Sequence, residues 1–130
     1  MTRELRHILC IDDERDILDV AQMCLETVGG YTATCCNSAG EALQRVAQIK
    51  PDIILLDVMM PQMNGPDAFA ALQAIPEIRD VPVVLMTARI QPSEVKAYMK
   101  LGVAAVIAKP FDAMTLAGDV RAIWEARHAT

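Results

Sequence analysis

The fold is decided by one stretch, Ile53-Ile54-Leu55-Leu56-Asp57, in which four apolar residues run without a break into an aspartate. A short apolar run without polar alternation predicts a strand that is covered on both faces of its sheet. Such strands belong to parallel sheets that carry helices on both sides. The aspartate then lies at the carboxyl end of the strand, where open parallel sheets bind their ligands.

The same unit recurs on both sides of this stretch. Four more runs predict strands, at Ile8–Ile11, Tyr31–Cys36, Val83–Met86 and Val103–Ile107. Between and after the strands, apolar residues recur at helical spacing, in segments that begin near Asp13, Ser38, Asn64, Pro92 and Asp112. Strict alternation of strand and helix predicts an α/β fold with a five-stranded parallel sheet and right-handed crossovers. We expect residues 1–130 to form one domain.

Several classes of function are disfavoured by composition. The chain is 53% hydrophobic and 22% charged, ordinary values for a soluble globular protein. Its net charge of -5 argues against direct binding to DNA, which needs clustered Lys and Arg. No apolar run approaches the roughly 20 residues of a membrane helix, and the N-terminus does not resemble a signal peptide. We therefore expect a cytoplasmic protein that does not enter the membrane.

The four cysteines are Cys10, Cys24, Cys35 and Cys36. They form no C-x-x-C pair, and no histidine lies at metal-ligand spacing from them. Cys35 and Cys36 should point to opposite faces of their strand. We expect reduced cysteines that pack as small hydrophobic side chains.

Polar residues follow four of the five predicted strands. They are Asp12 and Asp13 after the first strand, Asp57 after the third, Thr87 after the fourth and Lys109 after the fifth. Any one of them alone has an ordinary explanation, because an aspartate at a strand–helix junction is often a helix cap. Together they should lie at one edge of the sheet, where they bring three carboxylates, a hydroxyl and an ammonium into one crevice.

These residue types favour phosphoryl transfer to a carboxylate. Three neighbouring carboxylates repel one another, and Mg²⁺, which prefers oxygen ligands, would relieve the repulsion. One aspartate can then act as the nucleophile toward a phosphoryl donor. Lys109 and the metal would stabilise the charge on the transferred group, and Thr87 would donate a hydrogen bond to it.

Four motifs in chain order resemble the response-regulator receivers of two-component signalling. The resemblance covers essentially the whole chain from Ile8 onward. The motifs are Ile11-Asp12-Asp13-Glu14, Asp57-Val58-Met59-Met60-Pro61-Gln62-Met63-Asn64-Gly65, Met86-Thr87-Ala88 and Lys109-Pro110-Phe111. The second is close to the family pattern D-x-x-M-P-x-M-x-G.

The resemblance implies a role for each site residue. Asp57 would be the phosphorylated residue, and Mg²⁺ would be held by Asp12, Asp13, Asp57 and the backbone carbonyl of Met59. Thr87 and Lys109 would bind the phosphoryl group. The Lys109–Pro110 peptide bond would be cis, and the sheet order would be 2-1-3-4-5 in a flavodoxin-like (βα)5 three-layer sandwich.

The resemblance also implies a signalling switch rather than an enzyme. A sensor histidine kinase or a histidine phosphotransfer protein would donate the phosphoryl group. The fourth helix, fifth strand and fifth helix would then shift and change contacts with a downstream protein. The chain would be a stand-alone receiver or a fragment of a longer regulator, and its kinase and target stay open.

The fifth strand departs from the family pattern. An aromatic residue and nearby acidic residues are common before Lys-Pro in this family, whereas this chain has Val106 at the aromatic position and Ala104 and Ala105 close by. An aromatic switch and one common dimer of the family are therefore not expected. Coupling through the fourth helix is one interpretation, and simple core packing by Val106 is the other. Met59 and Arg89 occupy positions that tune phosphoryl lifetime in the family, but they predict no particular lifetime.

Three other kinds of protein share some of these features. A haloacid-dehalogenase-like phosphatase also uses a nucleophilic aspartate, but it needs a second aspartate where this chain has Met59. A flavodoxin-like electron carrier needs a phosphate-binding loop after the first strand, where this chain has Asp12-Asp13-Glu14-Arg15. A degenerate receiver that only binds partners would not need a complete set of site residues.

Overall fold

Five strands and five helices alternate along the computed structural model, which describes residues 4–88 and 90–128. The elements are β1 (His7–Ile11), α1 (Arg15–Met23), a π-helical turn (Cys24–Val28), β2 (Thr32–Cys36), α2 (Ala39–Ile49), β3 (Ile53–Asp57), α3 (Gly65–Gln73), β4 (Val83–Thr87), α4 (Pro92–Leu101), β5 (Ala105–Ala108) and α5 (Leu116–His128). Within the described residues, no helix is both long and apolar enough to cross a membrane.

All strand pairs are parallel, and the sheet order is β2-β1-β3-β4-β5. This confirms the predicted fold class and strand order. Every residue of β3 is buried, as expected for the central strand. Its side chains alternate between two apolar clusters, so that Ile54 and Leu56 face α2 and α3, while Ile53 and Leu55 face α1 and α5. The result is a three-layer sandwich.

The first helix begins at Arg15, two residues after its predicted start near Asp13. Its α-helical part ends at Met23 and is followed by the five residues of the π-helical turn, which the helical spacing does not predict. In this turn the N–H of Gly29 donates to the carbonyl of Cys24, 3.2 Å away. A Cβ at Gly29 would lie 2.7 Å from the ring of Tyr31, so that only glycine fits there without a shift.

The helix predicted to begin at Ser38 is capped as expected, whereas the last helix begins later than its predicted start near Asp112. The Ser38 hydroxyl accepts a hydrogen bond from the N–H of Glu41 (3.1 Å), and the Glu41 carboxylate accepts one from the N–H of Asn37 (2.9 Å). This arrangement is a capping box in which the Glu41 carboxylate accepts from the N–H of Asn37 instead of the N–H of Ser38. At the other end of the chain, the Asp112 carboxylate accepts from the N–H of Met114 (2.8 Å), and α5 begins only at Leu116.

The fifth strand starts two residues later than predicted. Gly102 has a left-handed backbone (φ 107°) that ends α4, and Val103 lies buried between this turn and the strand. The apolar character of Val103 therefore reflects core packing outside the strand. Strand β5 lies at one edge of the sheet and is only partly buried.

Candidate functional site

The carboxyl ends of the strands bring the predicted site residues together. Asp12 follows β1, Asp57 ends β3, Thr87 ends β4 and Lys109 follows β5. The sheet order places β3 between β1 and β4, so that Asp57 occupies the centre of this edge. Asp12, Asp57 and Thr87 are 4%, 2% and 3% exposed. Such burial is unusual for carboxylates and requires charged or hydrogen-bonding partners.

Lys109 is the positive partner of both buried carboxylates. Its Nζ lies 2.9 Å from Oδ2 of Asp12 and 3.2 Å from Oδ1 of Asp57. The Lys109 side chain is 13% exposed, which shields the two ion pairs from solvent. With two carboxylates and one ammonium, these three side chains carry a net charge of about −1, and the site therefore still attracts a cation.

Asp13 adds a third carboxylate from the solvent side. Carboxylate oxygens of Asp12, Asp13 and Asp57 lie within 4.8 Å of one another. A donor set made only of oxygen, with two buried acids and one exposed acid, suits a hard divalent cation such as Mg²⁺. The second oxygen of Asp12 accepts a hydrogen bond from the N–H of Glu14 (2.9 Å), which fixes the orientation of that carboxylate.

The electrostatics of Asp57 show the cost of this arrangement. Burial and, second to it, the charge of Asp12 raise its pKa from 3.8 to about 6. Lys109 opposes both effects through its charge and its hydrogen bond. For Lys109, burial acts to lower the pKa, but the hydrogen bond and charge of Asp12, together with the charge of Asp57, raise it overall. The ammonium therefore stays protonated at neutral pH.

The loop after β3 is held close to Asp57. The N–H of Met59 donates to Oδ1 of Asp57 at 3.4 Å, while the Met59 side chain is 73% exposed. The N–H of Gly65 donates to the carbonyl of Val58 at 2.9 Å. A Cβ at Gly65 would lie 2.8 Å from Cα of Val58 and 2.9 Å from the carbonyl oxygen of Asp57. Only glycine allows the start of α3 to approach β3 this closely.

Gly65 thus positions the loop after β3. It lies in the motif that follows Asp57, and this place in the motif is the only feature of the sequence that points to its role. The predicted metal ligand in the same loop is the carbonyl of Met59, and that role stays a prediction.

Thr87 and Lys109 are linked through the backbone. The N–H of Lys109 donates to the carbonyl of Thr87 at 2.9 Å, so that the ends of β4 and β5 are held together. The Lys109–Pro110 peptide bond is cis, as predicted. Arg89, the position named for phosphoryl lifetime, lies outside the described residues.

Comparison with known proteins identifies the family. Residues 8–121 match the response regulator receiver domain. The chain belongs to this family. A receiver domain accepts a phosphoryl group in two-component signalling, and the phosphatase and electron-carrier alternatives are therefore set aside.

Curated relatives of this receiver domain are themselves regulators. The response regulator MprA of Mycobacterium leprae is 34% identical over 116 residues, which cover 89% of this chain and 50% of the relative. The transcriptional regulatory protein YvrH of Bacillus subtilis is 37% identical over 115 residues, covering 88% of this chain and 47% of the relative. The receiver domain thus spans about half the length of these curated relatives.

A solved structure supports the same assignment. The N-terminal domain of a response regulator receiver protein from Methanoculleus marisnigri is similar to this receiver domain with a TM-score of 0.74 and 32% identity. The match covers 98% of this chain and 99% of the other.

Proposed function

We propose that Asp57 is the residue of this receiver domain that accepts the phosphoryl group. The observation that carries the proposal is the central, buried position of Asp57 between a carboxylate and an ammonium. Lys109 and the N–H of Met59 both contact Oδ1 of Asp57. We therefore assign the attack on phosphorus to Oδ2.

Asp12, Asp13 and Asp57 would hold Mg²⁺, with the carbonyl of Met59 as a further ligand. When bound, the metal would supply positive charge that offsets the phosphoryl oxygens. The chain itself supplies Lys109, whose ammonium already contacts Asp57 and can shift to a phosphoryl oxygen once the carboxylate has become an acyl phosphate. Thr87 lies at the end of the neighbouring strand, and its hydroxyl would donate to another phosphoryl oxygen.

This role is that of a stoichiometric acceptor rather than of an enzyme that turns over a substrate. The phosphoryl donor would be a sensor histidine kinase or a histidine phosphotransfer protein. The transfer would take place in the cytoplasm. We further propose that residues 1–130 form a single receiver domain.

The output surface would consist of α4, β5 and α5. No residue of α4 is fully buried, and β5 is only partly buried. Elements with few buried contacts need little free energy to shift. Movement of Thr87 and Lys109 toward a phosphoryl group would therefore reach α4 and β5 first, and a protein target that contacts them would sense the change.

The first test is the intact mass of the protein after incubation with acetyl phosphate, with and without Mg²⁺. We expect a phosphoryl adduct that needs the metal and is absent from Asp57→Asn. The matched control is Asp52→Asn, which changes a second buried aspartate at the other end of the same strand. Circular dichroism would check that both variants fold. An equal adduct on Asp57→Asn would overturn the assignment.

A second measurement isolates the metal. Titration calorimetry with Mg²⁺ should show weaker binding for Asp13→Asn than for wild type, because one of three clustered carboxylates loses its charge. Unchanged affinity would remove Asp13 from the ligand set.

A further inference from the structure

Cys10 and Cys35 lie directly opposite each other on neighbouring strands. The register of the parallel pair β1–β2 matches Cys10 with Cys35. Both side chains face α1, in the same apolar cluster. Paired strands are about 4.8 Å apart, and disulfides form when the Cα atoms are roughly 4.4–6.8 Å apart. The backbone therefore already places the Cα atoms of these two cysteines at a separation that disulfides span.

The Cys35 sulfur lies 3.7 Å from the carbonyl oxygen of Leu18 in α1. The neighbouring Cys10 thiol lowers the pKa of Cys35, against the opposing effect of burial, whereas Cys35 and burial together raise the pKa of Cys10. Cys35 is therefore the thiol of the pair that ionises more readily.

The two thiols differ in access to solvent. Cys10 is 3% exposed, whereas Cys35 is only partly buried near the edge of the sheet. A small oxidant would therefore meet Cys35 first, and Cys10 would be the neighbour that resolves the product. A small cleft lined by Cys10, Asp12, Leu18 and Phe111 lies beside the buried thiol.

We propose that Cys10 and Cys35 form a thiol oxidation site that hydrogen peroxide converts into a reversible disulfide. In the first step the Cys35 thiol and hydrogen peroxide give a sulfenic acid and one water. In the second step the sulfur of Cys10 attacks the sulfenic sulfur, an S–S bond forms, and a second water leaves. Peroxide is reduced by two electrons, and the two thiols supply them.

The other two cysteines are poor partners. Cys36 faces the opposite side of the sheet, beneath α2. Burial raises the pKa of the Cys36 thiol to about 11, which makes it slow to oxidise. Cys24 is buried in the π-helical turn. All four cysteines are reduced in the structure.

The disulfide would be easy to reduce. Sulfur–sulfur bonding needs Cβ atoms about 3.8 Å apart, which is closer than the spacing of paired strands, so that β1 and β2 must be drawn together. Strained disulfides have more oxidising potentials and are readily opened by dithiols. Cys10 lies two residues before Asp12 on the same strand, and closure of the bond would therefore displace a carboxylate of the acidic cluster.

The test counts free thiols in the folded full chain. Wild-type protein is treated with hydrogen peroxide, denatured in a maleimide, and weighed intact, so that each free thiol adds one maleimide mass. We expect two of the four thiols to be lost and then restored by dithiothreitol. Oxidation of exposed methionines adds oxygen only and leaves the maleimide count unchanged.

Single variants assign the pair. Cys36→Ser should still lose two free thiols on oxidation. Cys35→Ser and Cys10→Ser should form no disulfide, because each lacks one member of the pair. Because Cys35 is partly exposed, its serine variant folds without burying a new hydroxyl deep in the core, and circular dichroism checks this. After trypsin, the bond joins peptide 7–15 to peptide 16–45. Closure in Cys35→Ser, its loss in Cys36→Ser, or oxidation without any disulfide would overturn the proposal.

This inference does not depend on the phosphoacceptor role of Asp57. Asp57→Asn should form the disulfide as wild type does, so that a failure of one proposal leaves the other standing.

Discussion

Replacement of Asp57 by Asn should stabilise the metal-free protein at neutral pH. The pKa of Asp57 is raised from 3.8 to about 6 by burial and by the charge of Asp12. The folded state therefore holds a proton that the unfolded chain releases between about pH 4 and pH 6. Across this window the free energy of unfolding of wild type falls as the pH rises, and the loss is complete above the folded pKa.

The size of the effect follows from the shift. Each tenfold change in proton affinity corresponds to 1.36 kcal/mol, so that a pKa raised from 3.8 to about 6 costs about 3 kcal/mol at pH 7.5. Asn removes the charge and keeps the shape of the side chain. Lys109 retains its 2.9 Å contact with Asp12 in the variant. We expect a gain of about 2–3 kcal/mol, which for a domain of this size raises Tm by roughly 10 °C.

The assay is urea unfolding of both proteins in EDTA at several pH values. The difference in free energy of unfolding between Asp57→Asn and wild type should be near zero at pH 4, increase up to about pH 6 and then stay constant. Asp13→Asn is the matched control, because it removes an exposed carboxylate of the same cluster and should change stability by less than about 1 kcal/mol. Added Mg²⁺ should narrow the difference by stabilising wild type. A gain of equal size at pH 4 and pH 7.5, or no gain, would refute the electrostatic account of Asp57.

Three further perturbations test other parts of the structure. Gly65→Ala forces a Cβ to within 2.9 Å of the Asp57 carbonyl oxygen, and we expect a loss of about 1–3 kcal/mol in urea unfolding and slower labelling by acetyl phosphate; unchanged labelling would mean that the loop position is unimportant. Lys109→Ala should leave Mg²⁺ binding in place but remove the change in amide hydrogen exchange of α4 on phosphorylation; a normal response would exclude Lys109 from the switch. Ser38→Ala removes the acceptor for the N–H of Glu41 and should cost about 1 kcal/mol with normal phosphorylation, whereas a change in phosphorylation would link α2 to the site.

The sheet and its functional edge could be predicted because both depend on local sequence. An unbroken apolar run such as Ile53–Leu56 specifies a strand covered on both faces, and the first polar residue after it marks the strand end. Parallel strands share the direction of their carboxyl ends, so that Asp12, Asp57 and Lys109 had to meet. The opposite orientations of Cys35 and Cys36 were also predictable and are confirmed, because side chains alternate along a strand.

Features that depend on distant residues could not be predicted in the same way. The pairing of Cys10 with Cys35 follows from strand register, which only the packed sheet fixes. The π-helical turn at Cys24–Val28 differs from an α-helix by one residue of spacing, too little for apolar periodicity to reveal. The close approach of Gly65 to β3 depends on the path of the whole loop. The pairing of the cysteines and the approach of Gly65 thus depend on packing between elements, whereas the π-helical turn is local but too close to an α-helix in spacing to be distinguished.

The replacement of an aromatic residue by Val106 bears on how the signal leaves the site. Val106 is partly buried and packs against the same apolar cluster as Tyr98 of α4. A valine has one stiff side-chain torsion and cannot swing between buried and exposed positions as a large ring can. On the proposed output surface, we therefore expect a shift of β5 to reach α4 through the packing of Val106 and Tyr98 in this cluster. No residue of α4 or β5 is fully buried, so that either element can shift with little loss of packing, and we expect movement of α4 to displace the ring of Tyr98.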